Sequence, residues 1–137
     1  MAYKFEKLEV WQLALDYIDL CYAIAEQLPR SENFNLKSQM TRAATSIALN
    51  IAEGSTSQSD PEQQRFLGFA LRSLIETVAC LHLIHRRAYL PDPQPLRQAY
   101  LASTKLFAKL QAFRAALGGS AIRETSVEYA IGEETPF

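Results

Sequence analysis

Four stretches of about twenty residues, each with apolar side chains recurring at steps of three and four, constrain what this chain can fold into more than any other feature. Each stretch closes on a proline or glycine signal, so each reads as one helix. In the first, Leu8, Trp11, Leu15, Ile18, Tyr22 and Ala25 share a face. A helix is expected from about Leu8 to Gln27, because Pro29 disfavours helical geometry at Leu28 before it. In the second, Phe34 and Leu36 open a pattern carried on by Met40, Ala43, Ile47 and Ile51, and Gly54 closes it.

The polar run STSQS then leads into Asp60-Pro61-Glu62-Gln63. There Asp60 is expected to cap free amides, Pro61 to take the first helical position and Gln63 to reach back as in a capping box. The third helix should reach about Arg87, with Phe66, Ala70, Leu74, Val78 and Leu81 on one face. Leu67, Leu71, Ile75 and Ile84 widen that face, so more than a single stripe should be buried. Asp92-Pro93 starts a fourth helix marked by Leu96, Tyr100, Ser103, Phe107, Leu110 and Arg114, ending at Gly118-Gly119. The isolated glycines are read as helix terminators.

Helices of this length span roughly 30 Å each, and short loops leave room for one simple topology. The expected fold is all-α, an antiparallel up-down-up-down four-helix bundle over residues 1–119, with 120–137 as a tail outside it. With 137 residues, 48% of them apolar, the chain is long enough for one domain with its own core. The tail carries Arg123 against Glu124, Glu128, Glu133 and Glu134, a net of -3, which leaves the body near +2 within an overall net of -1. No sustained period runs through it, so a flexible segment or an arm that docks only on a partner is expected.

The near-neutral balance lies far from the strongly basic composition usual for nucleic-acid-binding domains, so any such surface has to be built by clustering. Cys21 and Cys80 fall in separate apolar segments with no CxxC spacing, and packed, reduced thiols are expected rather than a metal or redox pair. The charged start MAYKFEKLEVW has no apolar core of a signal peptide, and no uninterrupted apolar run approaches the ~18 residues of a membrane span. A cytoplasmic protein without a membrane partner is expected.

The second helix also carries Gln39, Arg42, Ser46, Asn50 and Glu53 at three- and four-residue steps, a polar ladder beside its apolar stripe. Arg72, Ser73 and Glu76 on the third helix are candidates to meet it. The preferred reading is structural: Arg42, Asn50, Glu53 and Glu76 satisfy one another between packed helices, while Ala43, Ala44, Ala48 and Ala52 allow close approach. A catalytic reading, with Arg42, Glu53 and Glu76 as a small active site, is the competing one. Neither glutamate belongs to the Glu-x-x-His motif that di-iron bundles use, so no metal and no cofactor are expected. His82 and His85, beside Arg86 and Arg87, suit the negative end of the third helix better than a metal site. Trp11, Phe5, Phe34, Phe66, Phe69 and Phe107 read first as packing residues.

The elements FEKLEVWQLA, LPRSENFNLKSQMTRAATSIALNIAEG and FLGFALRSLIE give the chain a marked resemblance, over about residues 5–90, to the bacterial four-helix-bundle family, the S23 or 23S rRNA intervening-sequence proteins. The resemblance implies a small up-down bundle assembled as a ring, typically a pentamer, with no assigned enzymatic reaction. It also implies a nucleic-acid role, since a relative of similar fold assists diversity-generating reverse transcriptases by binding nucleic acid. The expected function is therefore a non-enzymatic homo-oligomeric scaffold or adaptor that contacts RNA or DNA. The cations available for a composite patch are Arg65, Arg72, Arg86, Arg87, Arg97, Lys105, Lys109 and Arg114. Independently of the resemblance, the excess apolar surface of the third helix asks for a neighbouring subunit. The alternative is a protein-protein module with no nucleic-acid role.

Overall fold

The computed structural model describes residues 2–118 and 134–137. It is a bundle of four helices: α1 (Glu9–Glu26), α2 (Leu36–Gly54), α3 (Asp60–Arg86) and α4 (Gln94–Gly118). Short 3-10 turns at Lys4–Lys7 and Arg30–Glu32 precede α1 and α2. The helices pack in a cycle, α1 on α2, α2 on α3, α3 on α4 and α4 back on α1. Side-chain pairs show that neighbours run oppositely: Ser73 meets Ser46 and Phe66 meets Gly54 across α2 and α3, while Arg114 meets Gln64 and Tyr100 meets His82 across α3 and α4. This packing is compatible with the up-down-up-down order.

The stripes of α2 and most of that of α3 are buried as read in the sequence, but those of α1 and α4 are rotated by about one residue. On α1 the buried positions are Val10, Ala14, Tyr17, Cys21, Ile24 and Ala25, whereas Leu8, Trp11 and Ile18 are half-buried against the core and Tyr22 is 41% exposed. On α4 they are Leu96, Ala99, Ser103, Leu106 and Leu110, with Tyr100 and Phe107 at the flank. Small Ala14 and Ala99 and polar Tyr17 and Ser103 share the inner face with Ile24, Leu96, Leu106 and Leu110, so large apolar side chains alone do not mark it. The aromatic positions divide as well. Trp11 stacks edge-on against Phe5 at 4.6 Å, while Phe34 is 99% exposed in the turn before α2.

Both cysteines are free and buried, as expected. Burial pushes the Cys21 thiol up to about 12 and raises Cys80 as well, so both remain protonated at neutral pH. The start of α3 differs by one residue from the sequence reading. Ser59 is the cap, its Oγ accepting from the Glu62 amide at 3.3 Å, and Glu62 accepts in return from the Gln58 amide at 3.4 Å. Asp60 and Pro61 are already helical, and Gln63 is buried. On α4, Asp92 accepts from the Gln94 amide at 3.0 Å, the role its position suggested.

α2 ends at Gly54 as expected, and two glycines also serve packing. A Cβ on Gly54, in the last turn of α2, would lie 2.9 Å from the Phe66 Cβ, so glycine there lets α3 approach α2. Gly68 sits in the middle of α3 beneath the Arg114 guanidinium. With a mean hydropathy of 1.6 over its most apolar window, α3 is also long and apolar enough to cross a membrane, although polar residues interrupt it. In this bundle 44% of that window is buried inside the protein.

Candidate functional site

The polar ladder of α2 divides into an inner joint and an outer rim. At the joint, Asn50 Nδ2 donates to the Ser46 carbonyl at 2.9 Å and to Ser46 Oγ at 3.0 Å. Ser73 Oγ on α3 donates to the same Ser46 Oγ at 2.9 Å. Three of the expected residues thus pin α2 to α3 while remaining half-buried. Around them, Gln39 donates to Asn35 at 2.8 Å and Arg42 donates to Ser38 Oγ at 3.3 Å, both pairs lying one turn apart along the start of α2.

The charges are not the mutually paired, buried set that their spacing suggested. Arg42, Glu53 and Glu76 are all exposed. The ion pair among the described residues joins Lys109 to Glu9 at 3.1 Å instead, on the α4–α1 surface. The reason is geometric: the apolar and small residues of α2 fill the contact with its neighbours, so the ladder lies along the edge of that contact and its long side chains extend into solvent. A shallow open depression follows this edge, lined by Arg42, Ser46, Asn50 and Glu53 with Thr41, Thr45 and Leu49. Tyr22 of α1 closes one side, its hydroxyl sharing a 2.8 Å hydrogen bond with Thr45. Glu76 is not among the lining residues, so the trio proposed for catalysis is divided.

The eight candidate cations separate into groups. Arg65 and Arg72 on α3 and Arg114 on α4 line one groove together with Phe69, Ile75 and Gln111, over the floor made by Gly68 and Leu71. No carboxylate lines it. The Arg65 guanidinium lies 5.5 Å from the Phe66 ring centre and 5.8 Å from that of Phe69, a distance at which the ring faces attract a cation. Gln64 Nε2 donates to the Arg114 carbonyl at 3.0 Å and ties the two helices beside the groove. Arg86, Arg87 and Arg97 lie at the opposite end of α3 and α4, Lys105 is exposed midway along α4, and Lys109 is held by Glu9. Sequence spacing could not bring Arg65 and Arg72 to Arg114, since that requires the register between α3 and α4.

Two buried or half-buried polar contacts were not anticipated. Tyr17 on α1 reaches across the core to Thr77 on α3 at 2.7 Å, both fully buried. Thr77 donates its one proton to the Leu74 carbonyl at 2.6 Å, so the Tyr17 hydroxyl is the donor to Thr77. Burial raises the Tyr17 phenol well above its ordinary value. Near the other contact, Tyr89 donates to Glu32 at 2.6 Å and clasps the end of α3 to the α1–α2 connection. Among the described residues no group of three or more His, Cys, Asp and Glu side chains is placed to share a metal ion.

Four packed helices with a hydroxyl-lined edge and an arginine-lined groove define a small helical-bundle protein. The 23S rRNA-intervening sequence protein family matches over residues 6–112, and the chain belongs to that family. The match runs through most of α4, beyond the elements that carried the resemblance. A comparison with curated proteins gives no match.

Proposed function

We propose that this protein is a non-enzymatic, self-associating scaffold whose assembled surface binds single-stranded RNA or DNA. The observation that carries the reading is the groove of Arg65, Arg72 and Arg114 around Phe69, free of carboxylates in its lining. Cations track a phosphate backbone, and an aromatic face takes an unpaired base, which is the combination that sequence-tolerant single-strand binding uses. Self-association is supported by apolar side chains that the bundle leaves in solvent: Leu49, Phe69, Ile75 and Leu83 are 38–55% exposed. A ring of five follows from the family resemblance. Repeating a three-arginine groove around such a ring raises avidity without a basic monomer.

The test is fluorescence anisotropy with a labelled random 30-mer RNA across a salt series. Three phosphate contacts per groove predict a log-log salt slope near -2 per engaged subunit for a single strand, and the triple variant R65A/R72A/R114A should flatten it. Binding that is insensitive to salt, or unchanged in the triple variant, would leave the protein-adaptor reading in its place.

A further inference from the structure

The opposite end of α3 and α4 holds a second constellation, which the arginine groove does not explain. Phe137 lies 5.1 Å from the His82 ring, 5.0 Å from His85 and 5.8 Å from Tyr100, measured between ring centres. The His82 and Tyr100 contacts are edge-to-face, the arrangement that aromatic quadrupoles favour. Beside the ring, Arg97 Nε donates to the Phe137 main-chain oxygen at 2.8 Å, and Arg97 Nη1 is steadied by Gln94 at 3.5 Å. Side chains from two helices therefore read both the ring and the backbone of one residue.

Chain connectivity does not force this contact. Gly118 ends α4 some 21 residues past Arg97, about 32 Å away along the axis. The 18 residues from 119 to 136 span up to about 59 Å when extended, so Phe137 could be placed over much of the surface. Its position in the notch is selected by the contacts. Pro136 fixes one backbone torsion next to Phe137, which lowers the ordering cost of docking.

We infer that the notch formed by His82, His85, Arg97 and Tyr100 is a recognition site for a phenylalanine-bearing peptide segment, filled in this chain by its own Phe137. The site is independent of the nucleic-acid reading, since it lies at the other end of the α3–α4 pair from Arg114.

The experiment titrates a fluorescein-labelled peptide of residues 131–137 into full-length Phe137→Ala protein, in which the notch is vacated. Saturable binding is expected, at least tenfold tighter than to the unaltered protein, where the tethered segment competes. Adding Arg97→Ala to the Phe137→Ala variant should weaken peptide binding at least tenfold. Histidine ring resonances provide a second reading: His82 and His85 should shift on Phe137→Ala and return as peptide is added. Absence of saturable binding, equal affinity for the two full-length proteins, or histidine signals that ignore both Phe137 and the peptide would overturn the proposal.

Discussion

At the scale of single residues, the most consequential side chains are polar ones inside the core. Tyr17 and Thr77 form a relay ending on the Leu74 carbonyl, and an asymmetry follows from which partner is removed. Tyr17→Phe deletes a donor and leaves Thr77 still donating to Leu74, so a loss of about 1 kcal/mol is expected. Thr77→Val leaves the buried Tyr17 hydroxyl only the weakly accepting Cys21 thiol and should cost roughly 1–3 kcal/mol. The double variant should lose less than the two singles added together, as urea denaturation will show; strict additivity would mean that the pair does not act as a unit. Glu32 behaves differently because it titrates. Its carboxyl is held below its ordinary value of 4.5, first by the Tyr89 hydroxyl and next by the Leu36 amide. A depressed carboxyl stabilises the fold above its unfolded pKa, and the contribution fades as pH falls from that value through the lower folded one. Tyr89→Phe should therefore raise the Glu32 pKa toward its ordinary value in an NMR titration, and an unmoved Glu32 would contradict the clasp. Glu32 and Tyr89 stand 57 positions apart, which is why no local pattern in the sequence announced them.

At the scale of elements, helix existence and ends were legible, and the reason is local. Pro29, Gly54, Pro61, Pro93 and Gly118 are punctuation that acts within a turn or two, and the helices begin and end near them. The phase of the stripes on α1 and α4 was not legible to the same degree. Both helices carry apolar residues on more than one face, and only the positions of their neighbours decide which face turns inward. The candidate sites follow the same division. The Ser46–Asn50 step lies within one helix and could be read from spacing, whereas its link to Ser73 and the convergence of Arg114 with Arg65 depend on inter-helix register. The end of α3 illustrates a local rule that was overlooked. Tyr89 donates to the Ile84 carbonyl at 3.3 Å and Ala88 to that of His85 at 3.0 Å, the paired bonds of a Schellman cap, with Ala88 at a φ of 55° where glycine is usual. Ala88→Gly relieves that left-handed conformation and should stabilise the protein by roughly 1 kcal/mol in urea denaturation. A loss of stability would mean that the alanine methyl supports the Tyr89 clasp. Gly54→Ala should act in the other direction, losing about 1–3 kcal/mol, because its methyl would press on Phe66. Unchanged denaturation would mean that α2 and α3 can separate without penalty.

At the scale of the whole molecule, the bundle completes its own core and still leaves apolar side chains on the surface. Val10, Tyr17, Ile24, Met40, Leu74 and Leu106 are enclosed by the four helices, while Leu49, Ile75 and Leu83 are about half exposed. Scattered exposed leucines are ordinary on a protein surface, but here Ile75 and Phe69 lie beside the arginine groove, so a subunit contact would also shape the binding surface. The proposed assembly and the proposed groove therefore stand or fall together, as a ring that would multiply a weak site. The measurement that tests it most directly is size-exclusion chromatography with multi-angle light scattering on the purified chain at micromolar concentration. A single species near 77 kDa, five copies of the 15.4 kDa chain, is expected, and it should gain mass when single-stranded RNA is added at low salt. A monomer of 15.4 kDa that stays at that mass with RNA would contradict it.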